Sequence, residues 1–154
     1  MSIYHESKGS PILKAVIAIL LGVLVYVVYE PYQIREKEDR YRRESRARLI
    51  NIRNAQLQHI SEKGLYAPSI DSLVAYIKDR ISAGALSGQN FQPLTTGPFV
   101  PESLLHTPGS LRPYQVTSVD TTIIKKYVVI DPDGFGRIGS LTDDARVNKA
   151  SWED

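Results

Sequence analysis

Few residues in this 154-residue chain have the types and spacing that chemistry requires. Three histidines, His5, His59 and His106, fall in a leader, a helix-forming stretch and a loop-like stretch. None has a second histidine four positions away, the spacing that sets two imidazoles on one helix face around a metal, so surface or cap positions suit them better. Asp131-Pro132-Asp133-Gly134 begins like a calcium loop. The third acid and the bidentate glutamate that close such a loop are missing, and flanking aspartates with Pro and Gly instead supply the dihedrals of a turn between strands. Gly134-Phe135-Gly136 is not followed by a helix-forming segment, so it does not build a phosphate cradle. The chain has no cysteine, which excludes disulfides, thiol nucleophiles and thiolate metal sites. No Ser/His/Asp or Walker pattern is present. The sequence therefore predicts neither an enzyme nor a bound cofactor or metal.

The remaining chemical feature is charge. Net charge is +2, yet residues 33–53 hold eight Lys/Arg against four Asp/Glu, leaving −2 for the rest. Arg40, Arg42, Arg43, Arg46 and Arg48 are candidate contacts for anionic lipid headgroups or an acidic partner. The acids precede bases by four residues at Glu36/Arg40, Glu38/Arg42, Asp39/Arg43 and Glu44/Arg48. That orientation supports an exposed helix and leaves no clear basic face for nucleic acid.

The elements that position these groups begin with a membrane segment. Ala15 to Tyr29 carries no charge, and with Ile12, Leu13 and a snorkelling Lys14 the apolar stretch reaches 18 residues. At 1.5 Å per residue it is about 27 Å long, enough to cross a bilayer. Tyr26, Tyr29 and Tyr32 follow at helical spacing, where amphipathic rings suit the interface. The segment ends in Val-Tyr-Glu-Pro-Tyr rather than in a small-x-small cleavage site, which favours a retained anchor. Ala15, Ala18 and Gly22 form a small-residue face at i, i+3 and i+7 on which another transmembrane helix, or a second copy, can pack.

Beyond the anchor, no Pro or Gly interrupts residues 32–63, and one long helix is expected from Ile12 to Lys63, bent or broken near Pro31. Its charged part, residues 31–48, reads as a solvated stalk. Its later part becomes amphipathic through Leu49, Ile52, Gln56 and Ile60, flanked by Ala55 and Leu57. Gly64 should end it. Ser69 then caps a short helix that buries Leu73, Val74 and Ile77 and ends near Ile81. Residues 82–113 hold five of the nine prolines and four of the ten glycines and read as loop. Strands are expected at Tyr114–Val119, Thr121–Ile130 and Arg137–Leu141, with turns near Ser118–Thr121 and at Asp131–Gly134. The predicted fold class is α+β: a transmembrane helix continuing into a stalk helix packed on a small antiparallel sheet. The expected divisions are a tail at 1–11, the transmembrane helix at 12–30, the stalk at 31–48, a globular domain at 49–141 and a polar C-terminal tail at 142–154 with Trp152 as its aromatic anchor.

The combination of Lys8-Gly9, an apolar helix, Pro31, Ala55-Gln56-Leu57-Gln58, Gly64-Leu65-Tyr66 and Asp71 with Leu73 resembles type IV pilins and the pseudopilins of type II secretion. The likeness spans roughly residues 8–80. It departs at Ser10-Pro11-Ile12-Leu13-Lys14, where the family has Phe-Thr-Leu-Ile-Glu, so a base stands where the family carries its registering acid. Over nearly the whole chain there is a closer resemblance to a set of Bacteroidota envelope proteins with an N-terminal anchor. It rests on Pro31-Tyr32-Gln33-Ile34, Leu49 to Gln56 with Gly64-x-Tyr66, Ile138 to Thr142 and Ala150-Ser151-Trp152-Glu153.

These resemblances imply a pilin-like domain on a single-pass protein of the bacterial inner membrane, with no activity attached. The role they suggest is a structural or accessory subunit of an envelope machine, either a pseudopilin-like secretion component or a partner of a proton-driven complex of the ExbB/ExbD/TonB kind. The soluble domain is expected in the periplasm. The seven Lys/Arg between Arg35 and Arg48, counted alone, would favour the cytoplasm. A membrane-anchored ligand-binding or sensor module, using Ser82 to Pro113 as its binding surface, is the alternative.

Overall fold

The computed structural model describes residues 10–121 and 123–153. His5, Lys8, Gly9, Thr122 and Asp154 therefore lie outside the described residues, as does most of the expected N-terminal tail. The element order is α1 (Pro11–Lys63), α2 (Ile70–Ser82), β1 (Gln115–Asp120), β2 (Lys125–Ile130) and β3 (Arg137–Gly139), with short 3₁₀ turns at Gly88–Asn90, Pro101–Leu104 and Asp144–Arg146. The fold is α+β, as the periodicities predict. A long N-terminal apolar helix with a small antiparallel sheet is a pilin-like architecture.

By compactness the chain divides into two units, one ending at Asp39 and the other starting at Arg40. In the first unit everything described after Ser10 is helix. Pro31 lies inside α1 without ending it, so of the two expected outcomes, a bend or a break, the break does not occur. The apolar side chains here face outward: Leu20 is 61% exposed and Val25 67%. Leucine and valine at such exposure have no protein core to enter, and an 18-residue window of mean hydropathy 2.6 is long and apolar enough to cross a membrane.

The second unit is built on the last part of α1. Leu49, Ile52 and Ala55 are fully buried at its seam, against Leu73 and Ile77 of α2 and Tyr127, Val129 and Ile138 of the sheet. Leu57, expected to flank the stripe, is 38% exposed, whereas the polar Gln56 is fully buried. The solvated stretch also ends earlier than the charge spacing suggests, because Glu44 and Ser45 are buried. α1 closes at Gly64, whose N–H donates to Ile60 O at 2.9 Å and whose φ of +77° suits glycine. α2 opens with the expected Ser69 cap: its Oγ accepts from Ser72 N at 3.2 Å in a capping box.

The sheet order is β1-β2-β3, both pairs antiparallel. The first turn sits later than expected, at Thr121–Ile124 rather than near Ser118. Thr121 N donates to Ile124 O at 2.9 Å, and Thr121 Oγ1 accepts from Ile124 N at 3.0 Å. The threonine hydroxyl thus takes the role of a backbone acceptor, and Ile123, despite its strand propensity, stands 93% exposed in the turn. The Asp131–Gly134 turn is where it was expected, with Gly134 N donating to Asp131 O at 3.1 Å. β3 stops at Gly139 rather than Leu141. Gly139 adopts φ +84°, and a Cβ there would lie 2.2 Å from Tyr127 O, so only glycine lets the chain turn away at that point.

Residues after Thr142 fold back on the sheet. Ala150 bridges Ile138, and Ser151 N donates to Arg137 O at 2.9 Å. Trp152 lies where a Cβ on Gly136 would approach its ring to 2.4 Å.

Gln56 supplies a test of what holds α1 to the rest. Its Nε2 donates to Ala67 O at 3.1 Å and its Oε1 accepts from Ala67 N at 2.8 Å. Replacing it by leucine keeps the volume and orphans both main-chain groups, at a cost of about 1–3 kcal/mol for each unsatisfied group. Gln56→Leu should therefore lower stability by roughly 2–6 kcal/mol, while Leu57→Gln, one residue away, should stay within about 0.5 kcal/mol. Urea denaturation of the two full-length variants in detergent checks the order, and equal midpoints would contradict it.

Candidate functional site

Surfaces that could carry function lie in both units. In the first, Ala15, Ala18 and Gly22 are all exposed along α1, and a Cβ on Gly22 would meet no atom within 4 Å. The small-residue face is thus open along its length, and a neighbouring backbone could approach it closely. Farther along the same unit, Leu24, Val25, Val28, Tyr29 and Tyr32 line an almost wholly apolar concavity.

The five candidate arginines separate. Arg40, Arg42 and Arg43 are exposed, with the Arg40 guanidinium 5.9 Å from the centroid of the adjacent Tyr41 ring. Arg46 and Arg48 turn onto the domain. Arg46 Nε donates to Phe135 O at 3.3 Å, and its guanidinium lies 4.8 Å from the Trp152 ring centroid. Arg48 forks onto Glu44 Oε1 at 3.1 and 3.0 Å and donates to His106 O at 2.7 Å. The expected Glu44/Arg48 pair is therefore formed, but as part of a buried network: the other Glu44 oxygen accepts from Thr95 N at 2.6 Å and from the Thr95 hydroxyl.

Beside it lies a second buried polar group that the sequence reading did not single out. Ser45 Oγ donates to Asp131 Oδ2 and is 3.0 Å from the Tyr114 hydroxyl, while Asp131 Oδ1 accepts from Asp133 N at 2.6 Å. Burial pushes the Tyr114 phenol well above its usual range, Asp131 adds to the rise, and the bond to Ser45 opposes it. A serine next to an aspartate invites a catalytic reading, but Ser45 is fully buried, and among the described residues no imidazole is bonded to it. The group's bonds instead tie α1 to the β2–β3 turn and to the segment entering β1. Only the helical spacing of Glu44 and Ser45 on the side of Leu49 and Ile52 could have signalled their burial.

Of the described histidines, His59 is buried, its Nδ1 2.7 Å from Leu65 O and its ring edge-on to Tyr76 at 4.9 Å. His106 is exposed. Among the described residues no group of three or more His, Asp or Glu is placed to hold a metal ion. Asp131 and Asp133 do not converge on a cation. Asp133 accepts from Ser110 N at 3.1 Å, Ser110 Oγ at 2.5 Å and Arg112 Nη2 at 2.8 Å.

The segment from Ser82 to Pro113 is irregular, as expected, and forms two concavities. Phe91 and Phe99 stack at 4.2 Å, and with Pro93 and Pro98 they line a mostly apolar cleft of about 410 Å³. A second, of about 310 Å³, lies between the start of α2 and Leu105, His106, Pro113 and Val116.

No protein family, curated protein or solved structure matches this chain. Function must be argued from these sites.

Asp133 makes the turn network measurable. Burial raises its carboxyl, but the donors from Ser110 and Arg112 outweigh that and hold it at about 2, below the ordinary aspartate value of about 3.9. A depressed folded-state value means stability that is fully present above about pH 4 and is lost as pH falls toward about 2. Asp133→Asn should lower the melting temperature at pH 7, and its gap to the wild-type chain should close between about pH 4 and pH 2. A gap independent of pH would show that the carboxylate contributes nothing through its charge.

Proposed function

We propose that this chain is a non-enzymatic, single-pass envelope protein of the bacterial inner membrane, whose pilin-like domain serves as a structural or accessory subunit of a multiprotein machine. The observation that carries this reading is the outward-facing apolar part of α1, with exposed leucines and valines and an open Ala15/Ala18/Gly22 face, in the same chain as a small unit with its own core. Partners are other integral membrane proteins or further copies, held by helix packing in the bilayer. The soluble domain is placed in the periplasm. Within the class, a pseudopilin-like secretion component and a partner of a proton-driven ExbB/ExbD/TonB-type complex both fit, and the pilin-like architecture supports the first. Lys14, where pilins carry an acid, argues against filament assembly by the pilin route. Of the five arginines, Arg40, Arg42 and Arg43 are the ones exposed to meet anionic headgroups or an acidic partner.

A second reading, an anchored ligand-binding or sensor module, is favoured by the Phe91/Phe99 cleft, whose volume suits a small apolar ligand. Native purification separates the two. Stoichiometric partners recovered from membranes support the machine subunit, whereas a monomer that retains a small molecule supports the module.

The helix face gives the sharper test. Ala18→Leu and Gly22→Leu fill the small-residue surface without touching the domain, and together they should reduce co-purified partners several-fold while membrane localisation stays unchanged. Full partner recovery would remove this face from the assembly.

A further inference from the structure

The two edges of the sheet are treated differently. At β3 the outer edge is covered: Gly139 N donates to Lys149 O at 3.0 Å, Ser151 N donates to Arg137 O at 2.9 Å, and Ile138 bridges Ala150. At β1 it is bare. The bond from Thr121 N to Ile124 O fixes the phase of the hairpin. With the observed register, Val119/Lys126, Thr117/Val128 and Gln115/Ile130 are then the pairs that exchange main-chain bonds. The N–H and C=O groups of Val116, Ser118 and Asp120 consequently point out of the sheet, and among the described residues no other segment bridges them. Edge strands in monomeric proteins are usually blunted by Lys, Pro or a bulge. Gln115-Val116-Thr117-Ser118-Val119-Asp120 contains no Lys, Arg or Pro, and its six residues pair with β2 in unbroken register.

We infer that β1 is a pairing edge for a second copy of this chain, the two β1 strands joining antiparallel about Ser118 into one continuous sheet. The residues themselves point to a copy as the occupant. A two-fold pairing that uses the outward groups sets Ser118 opposite Ser118, Val116 opposite Asp120, and Thr117 opposite Val119. The strand's one charged residue therefore meets valine and not another aspartate, so no like charges oppose each other. Val119, 39% exposed in the single chain, gains cover from Thr117 of the copy. An anchor that confines copies to one membrane raises their effective concentration, so a modest strand contact suffices.

The proposal deepens the membrane-subunit reading, and it draws on that reading only for the concentration argument. Because the chain contains no cysteine, Ser118→Cys in the full-length protein places the sole thiol at the two-fold axis. In liposomes, a short bismaleimide should join Ser118→Cys chains into dimers at least tenfold more than it joins Ala85→Cys chains, whose thiol lies in an exposed loop away from β1. Ser118→Pro removes an outward donor while sparing the bonds to β2, so its melting temperature should hold while the dimer disappears from native mass spectra. Adding Ala18→Leu and Gly22→Leu to Ser118→Cys should leave cross-linking intact even where those changes abolish partner recovery. Equal cross-linking at positions 118 and 85, a dimer that survives Ser118→Pro, loss of cross-linking on filling the helix face, or capture of only a different protein at position 118 would each overturn the inference.

Discussion

The second unit depends on one constraint: more than half of its chain is irregular, and the main-chain polar groups of those segments must find partners once they are packed away from water. The end of α1, from Glu44 onward, supplies several of them from its side chains. Glu44 takes the N–H of Thr95, Asn51 donates to Gln92 O at 2.9 Å and accepts from Gln92 N at 2.7 Å, and Gln56 holds both groups of Ala67. His59 and Arg48 meet the carbonyls of Leu65 and His106, and Arg46 meets that of Phe135. One helix thus acts as a template on which four separate stretches of loop are pinned. The amides are matched to the task, because each offers a donor and an acceptor at the spacing of one peptide unit.

Apolar packing alone could not do this. Leu49, Ile52 and Ala55 give the helix its place in the core, but burial of hydrocarbon is non-directional and would tolerate several arrangements of the 82–113 segment. A buried amide or carboxylate does not tolerate them, since each wrong arrangement leaves a desolvated group unpaired. The polar positions therefore specify which loop conformation accompanies the core. Ser45 extends the same logic to the sheet by tying α1 to Asp131 of the β2–β3 turn, where Asp133 in turn reaches Ser110 and Arg112.

That division explains what could be read from the sequence. Elements set by local chemistry were legible: the apolar run to Tyr29, the Ser69 cap, the Gly64 stop and the Asp131–Gly134 turn each follow from residues close together in the chain. The first hairpin was misplaced because Ile123 and Ile124 have strand propensity, and only the long-range pairing of Val119 with Lys126 shows that the turn must lie between them. The helix passes through Pro31 because losing one main-chain bond does not end a long helix. Glu44 and Ser45 were assigned to solvent because charge and hydroxyl type usually mean exposure, whereas their partners, Thr95, Tyr114 and Asp131, lie 50 or more residues away. For the candidate site the limit is the same: Arg40 to Arg48 form one cluster in sequence, and only the fold divides those that serve the domain from those that face outward.

The division of labour along α1 also bears on how the chain can work. Where the helix packs on the domain, its polar side chains are spent on internal bonds and are not available to partners. Where it is exposed in the apolar run, from Ile12 to Tyr29, no packing among the described residues accounts for the residue types present. A domain that needed only to be soluble would gain nothing from exposed leucines and valines over 18 residues, and a single copy would gain nothing from an unblunted edge strand. The apolar helix and the outer edge of β1 are therefore the two surfaces on which the proposed assembly rests.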